Sequence, residues 1–299
     1  MSSSNTKKTF QDKWENNARS FFAETLNEQS EICRWILQRN GFSDGQALRE
    51  YLLDKRRILD AGCGNGRVTA LLREHSAPER TEIVAIDVAA AHIAEQNLRP
   101  YERITCLQRD LLNDLTDLGN FDFIYCQEVL HHTLDPRQAF LNLCGRLLPE
   151  GEIAIYVYKK KAPVREFVDD YVRERLSMLS YPEAMASCRQ ITELGKKLSE
   201  LKVTIDIPRI DILEIEAGEY DLQRFIYHFF AKCYWNPELS YHDNTVVNYD
   251  WYHPQECSRH ELQEVRSWFE DAELQILHEY VDFYGITLRG RRTCNEERK

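Results

Sequence analysis

The sequence contains no apolar run that approaches the roughly 20 residues with which a helix crosses a bilayer. Residues 1–8 are polar and lack the apolar core of a secretory signal. We therefore expect a protein that is neither secreted nor inserted in a membrane, and we predict a cytoplasmic location. Disorder of the whole chain is excluded, because 43% of the residues are hydrophobic and 11% are aromatic.

Closely spaced cysteines are also lacking. The sequence has no CxxC pair and no Cys/His spacing that would close a tetrahedral metal site. The nine cysteines are instead scattered, at positions 33, 63, 106, 126, 144, 188, 233, 257 and 294. We expect reduced thiols and no bound metal.

Positive charge is scarce, since 38 Lys and Arg stand against 49 Asp and Glu and give a formal net charge of -11. Such a surface repels a phosphate backbone on average, so the composition disfavours a nucleic-acid partner. The single basic run, Lys159 to Lys161, follows a predicted strand and is typical of a solvated edge.

The pattern of apolar residues predicts helices first and then, from residue 57, strands alternating with helices. Strands are predicted at 58–60, 83–87, 104–108, 121–126 and 153–158, with helices such as 68–74 and 137–148 between them. This alternation favours parallel βαβ units in an α/β, doubly wound sheet. It stops after residue 158 and resumes near 258 with a helix, 259–273, and two strand-like runs, 274–283 and 285–291.

The most specific motif is Asp60-Ala-Gly62-Cys63-Gly64-Asn-Gly66, which directly follows the first predicted strand and precedes a helix. Its glycines let the backbone turn tightly and approach a ligand that a Cβ would obstruct. The spacing is G-x-G-x-G, whereas the dinucleotide fingerprint is G-x-G-x-x-G, with a pyrophosphate at the helix N-terminus. The loop is therefore shaped for a ligand other than a pyrophosphate.

An acidic residue followed by G-x-G-x-G resembles the first motif of the class I S-adenosylmethionine-dependent methyltransferases, and the resemblance extends over residues 57–158. Within that class the sequence is similar to the type-11 group, which includes enzymes of ubiquinone and menaquinone biosynthesis. The resemblance implies a Rossmann-like fold and S-adenosyl-L-methionine as cofactor. It also implies that the backbone at Gly62, Gly64 and Gly66 holds the amino-acid moiety and that Asp60 orders this loop.

The same resemblance implies roles for residues that follow the next three strands. Asp87, with Val88 beside it, matches the acid that accepts the ribose hydroxyls, a geometry that suits the two oxygens of a carboxylate. Asp110 and Leu111 match the acid and apolar neighbour that bind adenine, and Gln127 falls where the family places contacts near the sulfonium. Cys63 is interpreted as a loop filler that lies against the cofactor.

These expectations define four segments. Residues 1–55 are predicted to form a helical lid, in which Phe10, Trp14 or Tyr51 closes the site, and residues 56–159 the cofactor-binding core. Residues 160–257 are predicted to be an inserted helical and aromatic cap that binds the substrate. Residues 258–293 would add the last helix and an antiparallel hairpin to a seven-stranded sheet, and residues 294–299 are predicted to be a polar tail.

A sulfonium methyl is already activated, so a catalytic base is optional. The candidates are Glu128, His131 and His132, which follow the fourth strand, where ligands gather in such sheets. One histidine of the pair would alternatively pack and bind the backbone, and Glu128 would alternatively cap the next helix.

The aromatic part of the cap, residues 220–252, is interpreted mainly as core, because its apolar residues recur at helical spacing. Polar and aromatic residues within and just after it are the candidates for contacting the acceptor, with residues 248–254 predicted to be a loop before the last helix. The candidates are His228, Tyr249, Asp250 and His253.

The sequence thus favours methyl transfer to oxygen, nitrogen or carbon of a small organic acceptor. Two alternatives stay open: a methyltransferase acting on transfer RNA or protein through the cap, and a protein that binds the cofactor without transferring its methyl group. An arsenic methyltransferase is disfavoured by the scattered cysteines. A homodimer is an open alternative to a monomer.

Overall fold

The computed structural model of the chain describes residues 4–293, so Cys294 and the predicted polar tail lie outside the described residues. The described residues divide into two compact units. Unit 1 extends up to Lys159 and continues from Ser258, and unit 2 comprises Lys160–Cys257.

Unit 1 is built on a seven-stranded sheet with the order β3-β2-β1-β4-β5-β9-β8. The five strands β1 to β5 are parallel, and β9 is antiparallel to both β5 and β8. The strands are β1 (Arg57–Ala61), β2 (Glu82–Asp87), β3 (Ile104–Gln108), β4 (Phe121–Gln127), β5 (Leu147–Tyr158), β8 (Leu274–Val281) and β9 (Gly285–Arg292).

Helices cover both faces of this sheet. They are α1 (Ser4–Asn16), α2 (Phe22–Leu26), α3 (Glu31–Arg39), α4 (Gly45–Leu52), α5 (Arg67–His75), α6 (Ala91–Leu98), α7 (Pro136–Cys144) and α12 (Leu262–Asp271). Adjacent strand residues point to opposite faces, so Leu59 and Ile124 join the hydrophobic cluster formed with α7 and α12. Their neighbours Ile58 and Phe123 join the cluster formed with α3, α4 and α5.

Unit 2 is mainly helical, with α8 (Pro163–Leu176), α9 (Tyr181–Glu200), α10 (Leu222–Phe229) and α11 (Tyr241–Tyr252). A two-stranded antiparallel hairpin, β6 (Thr204–Ile207) and β7 (Gly218–Asp221), lies between α9 and α10. The sequence pattern did not predict this hairpin, because each strand has only four residues.

The predicted α/β, Rossmann-like fold with a C-terminal antiparallel hairpin is confirmed. One local prediction was wrong: residues 248–252, predicted as loop, are the last turns of α11. The order of strands reverses between β1 and β4, and in doubly wound sheets ligands bind in the crevice outside such a reversal. Among residues 4–293, no helix is long and apolar enough to cross a membrane.

A buried carboxylate on β5 joins β9 to α4. Glu152 accepts hydrogen bonds from the hydroxyl of Tyr51 at 2.8 Å and from the guanidinium of Arg291 at 2.8 Å. Arg289 lies 3.6 Å and Lys55 4.0 Å from the same carboxylate. Tyr51, one of the predicted lid residues, is therefore held at this buried network.

Glu152→Ala should lower the free energy of unfolding by about 3–5 kcal/mol, because it removes the carboxylate that neutralises a cluster of partly buried cations. Urea denaturation measures the change. Glu82→Ala is the control, since Glu82 is an exposed strand carboxylate that pairs with Arg103 at 3.1 Å and should contribute no more than about 1 kcal/mol. Equal effects of the two substitutions would contradict the role of Glu152.

Candidate functional site

The loop between β1 and α5 turns sharply at the carboxyl end of the sheet. Gly62 and Gly64 have φ angles of 87° and 54°, in the left-handed region that favours glycine. The N–H groups of Gly62 and Cys63 donate to the carbonyl of Ile86 at 2.7 and 2.9 Å. A Cβ on Gly62 would clash with the side chain of Val129, so the loop is fixed against β2 and against the segment after β4.

The carboxylate of Asp87, at the end of β2, holds two loops together. Its Oδ2 accepts the N–H of Gly64 at 3.0 Å, and its Oδ1 accepts the N–H groups of Ala89 and Ala90, both at 2.8 Å. A carboxylate oxygen has roughly two acceptor positions, so Oδ2 keeps one for a further donor. Because Asp87 is half-buried, that position is accessible to a ligand.

Asp60, the acid that opens the glycine motif, is buried, and its Oδ2 accepts the hydroxyl of Thr69 at 2.5 Å. Burial, with a smaller contribution from the nearby carboxylate of Asp87, raises the pKa of Asp60 to about 7 against the lowering effects of the Thr69 hydrogen bond and Arg67. The carboxyl group therefore titrates near neutral pH. Its bond to Thr69 also ties the end of β1 to the first turns of α5, in line with the predicted role of ordering the loop.

Asp110 and Leu111 follow β3, which pairs with β2. Asp110 is half-buried, and its Oδ1 accepts the N–H of Leu112 at 3.0 Å. Leu111 is buried in the cluster that includes α7, and its carbonyl accepts the amide of Asn142 at 2.8 Å. The half-buried Val88 follows β2, and its carbonyl accepts the amide of Gln108 at 2.8 Å.

Gln127 ends β4 with a buried amide that is engaged by the N-terminal helices. Its Nε2 donates to Oδ1 of Asn40 at 2.5 Å, and Nδ2 of Asn40 donates back at 3.3 Å and to the carbonyl of Ile36 at 2.8 Å. The reciprocal pair uses one N–H and one lone pair of the Gln127 amide, so contact of the other N–H or lone pair with a ligand stays a prediction. We conclude that Gln127 connects β4 with α3.

Glu128 has a φ angle of 63°, which is strained for a residue with a side chain. Its two carboxylate oxygens lie 3.7 Å from Arg39 and 3.5 Å from Arg67. The Arg39 guanidinium is buried between the rings of Trp35 and Tyr156, at 3.7 and 4.5 Å from their centroids. Glu128 is therefore the carboxylate that balances a buried cation at the end of β4, and it does not cap a helix.

His131 and His132 are both buried in a short 3₁₀ helix after β4. The ring of His131 stacks on Tyr158 with centroids 3.7 Å apart and planes at 26°. His132 meets His131 edge-on at 4.3 Å and Phe10 of α1 at 4.9 Å. The structure thus brings the predicted histidine pair together with Glu128 beyond the end of β4.

A chain of hydrogen bonds supports His131 from the segment before α12. Both the N–H and the hydroxyl of Ser258 lie near the carbonyl of His131, at 2.9 and 3.3 Å. The same hydroxyl is 2.9 Å from Nε2 of His260, whose Nδ1 is 2.8 Å from the carboxylate of Glu264. This chain fixes the backbone at His131 and so the plane of its ring.

The N-terminal segment packs directly on the glycine loop. A Cβ on Gly64 would lie 2.8 Å from Cζ2 of Trp14, so the indole covers the loop. Asn65 Nδ2 donates to the carbonyls of Ala18 and Ser20 at 3.2 and 3.0 Å, which ties the chain after α1 to the same loop. Of the predicted lid residues, Trp14 and Phe10 reach this region.

The predicted acceptor residues of unit 2 have contacts within that unit. Tyr249 and His253 are buried and stacked, with ring centroids 4.5 Å apart, and Nε2 of His253 lies 3.0 Å from the carbonyl of Leu179. Burial lowers the pKa of His228 to about 3, helped by Arg224, Arg165 and Lys161, so its ring is neutral at pH 7. Asp250 is half-buried on α11. Acceptor contact by these four residues stays a prediction.

The structure adds functional candidates that the sequence did not single out: Trp35, Arg39, Asn40, Tyr156 and Tyr158. The two tyrosines lie on one face of β5, and that spacing of two was the signal available for them. Arg39 and Asn40 gave no signal, because a buried arginine at a helix end looks like a surface residue in sequence.

Among the described residues, the cysteines form no disulfide and no group of side chains forms a metal site. The eight described cysteines are unpaired in disulfides, and burial raises the pKa of Cys63 well above its usual value. Cys63 is therefore a protonated thiol in the loop. Within residues 4–293, no group of three or more His, Cys, Asp or Glu is placed to hold a metal ion.

Comparison with known proteins agrees with this geometry. Residues 59–153 match a family model described as a methyltransferase domain. An uncharacterized protein of Synechococcus is 32% identical over 203 residues, which cover 65% of this chain and 46% of that protein. The ubiquinone biosynthesis O-methyltransferase of Psychrobacter cryohalolentis is 29% identical over 154 residues, which cover 48% of this chain and 57% of that enzyme.

The chain thus spans about half the length of these two curated relatives. Among solved structures, an S-adenosylmethionine-dependent methyltransferase from Aquifex aeolicus has a TM-score of 0.49 at 14% identity, covering 95% of this chain and 98% of that one.

Asp60→Asn should change how stability depends on pH. The raised pKa of Asp60 means that the folded protein holds a proton that the unfolded chain loses above pH 4, so stability falls between about pH 4 and 7. Asparagine has no such proton and keeps an acceptor for Thr69. The free energy of unfolding of Asp60→Asn, relative to that of the natural protein, should therefore rise with pH by on the order of 2–4 kcal/mol.

Urea denaturation at pH 5 and pH 8, without ligand, measures this difference. Asp117→Asn is the control, because Asp117 is an exposed carboxylate that pairs with Arg109 at 2.8 Å. Parallel pH profiles for the natural protein and Asp60→Asn would overturn the raised pKa.

Proposed function

We propose that this chain is a class I S-adenosylmethionine-dependent methyltransferase of the ubiquinone-biosynthesis-like group and that it methylates a small organic acceptor. The observation that carries the proposal is the arrangement at the reversal of strand order. There a left-handed glycine loop is held by the half-buried Asp87, which keeps an accessible acceptor position. The match of residues 59–153 and the relatedness to O-methyltransferases support it.

The residues at this edge fit the chemical groups of S-adenosyl-L-methionine. The loop from Gly62 to Gly66 would hold the amino-acid moiety, as the resemblance implies, and the side chains of Val129, Trp14 and Leu98 pack directly against its three glycines. The remaining acceptor position on Oδ2 of Asp87 would bind a ribose hydroxyl, and Asp110 with Leu111 would bind the adenine. An ionised Asp60 would favour the cofactor's ammonium group through its negative charge.

The bound cofactor supplies an activated methyl group on a sulfonium, so the protein's tasks are to orient the acceptor and exclude water. Trp14 covers the glycine loop and Phe10 contacts His132, which supports residues 1–55 as the lid. Unit 2 (residues 160–257) is proposed as the substrate cap.

Of the three candidate catalytic residues, we assign the proton-accepting role to His132. Glu128 is flanked by Arg39 and Arg67, so its carboxylate acts as their counter-ion. His131 is fully buried and stacked flat on Tyr158, which suits a packing role. His132 keeps some exposed surface and would accept a proton from a hydroxyl or ammonium acceptor.

Asp87→Ala should weaken S-adenosyl-L-methionine binding by about 1–3 kcal/mol, because charge-assisted hydrogen bonds to the ribose and to the glycine loop are lost together. Isothermal titration calorimetry measures the dissociation constant. A factor of about 5–150 is expected.

Asp122→Ala is the matched control for that measurement. Asp122 is also half-buried, and its Oδ2 accepts two backbone N–H groups, those of Arg56 and Arg57, at 2.9 and 2.8 Å. It lies at the start of β4, at the opposite end of the sheet from the glycine loop. The Asp122→Ala variant should be less stable than the natural protein but bind the cofactor with the same affinity. Unchanged affinity in Asp87→Ala would remove the ribose assignment.

Methyl transfer itself is tested by incubating the purified protein with methyl-labelled cofactor and an extract of small metabolites freed of macromolecules. We expect label in small molecules and release of S-adenosylhomocysteine, with turnover by Asp87→Ala at low cofactor concentration lowered in proportion to its loss of cofactor affinity. Binding of the cofactor without release in any extract would favour the non-transferring alternative.

His132→Asn refines the same assay. It should keep cofactor affinity and lower turnover by about 10²–10⁴-fold for an acceptor that loses a proton. Label that appears only when transfer RNA or protein is restored to the extract would instead assign a macromolecular acceptor.

A further inference from the structure

Unit 2 surrounds one indole ring with cations. Trp251 of α11 has the ammonium of Lys232 at 4.7 Å from its ring centroid and the guanidinium of Arg165 at 5.2 Å. Lys161 and Arg173 lie at 5.5 and 5.7 Å. Four cations therefore gather around one buried ring in a chain whose net charge is -11.

The nearest buried carboxylate is already used. Arg165, Asp169 and Arg173 are spaced by four residues on one face of α8. Asp169 accepts Nε of Arg165 at 2.6 Å with one oxygen and the hydroxyl of Tyr252 at 2.9 Å with the other. Arg173 pairs with the exposed Asp170 at 3.1 Å and also donates to the carbonyl of Trp251.

Lys232 takes part in neither of these ion pairs. It is buried, and within the described part of unit 2 no carboxylate lies at salt-bridge distance from its ammonium. Burial and the charge of Arg165 lower its pKa to about 8, and the charges of Asp250 and Asp169 offset this lowering only in part. An ammonium kept in such a place costs several kcal/mol unless an anion neutralises it.

His228, a second residue of unit 2, also lies near several cations. The pKa of His228 is lowered to about 3 by burial together with Arg224, Arg165 and Lys161. The guanidinium of Arg224 lies 5.7 Å from the ring of Tyr227, and its Nη1 is buried without a hydrogen-bond partner. The charge of Arg165 thus acts on both His228 and Lys232.

We propose that Lys232, with Arg165 and the Trp251 ring beside it, forms a binding site in unit 2 for an oxyanion, the carboxylate or phosphate group of a small molecule. The occupant is small, because Lys232 and Arg165 are 7% and 2% exposed and would not reach the backbone of a nucleic acid. The cations would supply charge-assisted hydrogen-bond donors to either oxyanion, and the Trp251 ring holds those cations in place. That the oxyanion belongs to the methyl acceptor rests on the proposed function.

Binding of inorganic phosphate and of benzoate is measured from the rise in unfolding temperature at constant ionic strength, with chloride as the reference anion. We expect saturable stabilisation of the natural protein by at least one of the two, which also tells a phosphate site from a carboxylate site. Lys232→Met should raise the dissociation constant at least about tenfold, and Lys232→Arg should restore part of the affinity.

Lys196→Met is the matched control in the same unit. Lys196 also lies over an indole, that of Trp235 at 5.7 Å, but it has Glu200 at 3.9 Å as its own counter-ion. Its replacement should leave anion binding unchanged. Equal stabilisation of the natural protein and Lys232→Met, or none of the natural protein by either anion, would overturn the proposal.

Amine modification of the natural protein, followed by mass spectrometry, gives a readout that does not depend on a variant folding. Phosphate or benzoate should slow the modification of Lys232 and leave that of Lys196 unchanged, whereas equal rates with and without the anions contradict the site. Cofactor affinity, measured on the same samples, separates this proposal from the proposed function. If the natural protein binds the cofactor normally but does not bind the anions, only the anion site is contradicted.

Discussion

The carboxylate of Asp87 is the constraint on which the rest of the site depends. It binds the amide of Gly64 with one oxygen and those of Ala89 and Ala90 with the other, so two loops at the carboxyl ends of neighbouring strands move as one. The negative charge is stabilised by three peptide dipoles without a basic side chain. Without that link, Gly64 would lose the hydrogen bond that holds it to the end of β2.

The core of the fold could be predicted from the sequence because its signals are local. The five parallel strands and the glycine loop depend on residues within a few positions of one another, and their order along the chain fixes a doubly wound sheet. The same holds for Asp60 and Asp87, which sit at strand ends beside the loop. Their titration behaviour and exact partners needed the structure, since burial is a tertiary property.

Other features could not be predicted, because their partners are far apart in sequence. The amides of Asn40 and Gln127 are 87 positions apart, and neither residue type is distinctive. The second half of α11 was mistaken for a loop because the helix buries Asn244, Thr245 and Asn248, whose side chains bond to the backbone of unit 2. A helix with polar residues on its inner side lacks the apolar periodicity that predicts helices.

At Glu128, the backbone conformation and the charge balance favour different residues. Its left-handed backbone would be relaxed by glycine, the replacement usually chosen to relieve such strain. Glycine would also delete the carboxylate between Arg39 and Arg67, so the buried guanidinium would lose its counter-ion. Sequence selection for thermal resistance alone is therefore a poor guide at this residue, and a thermostable homologue with glycine here would need another anion for Arg39.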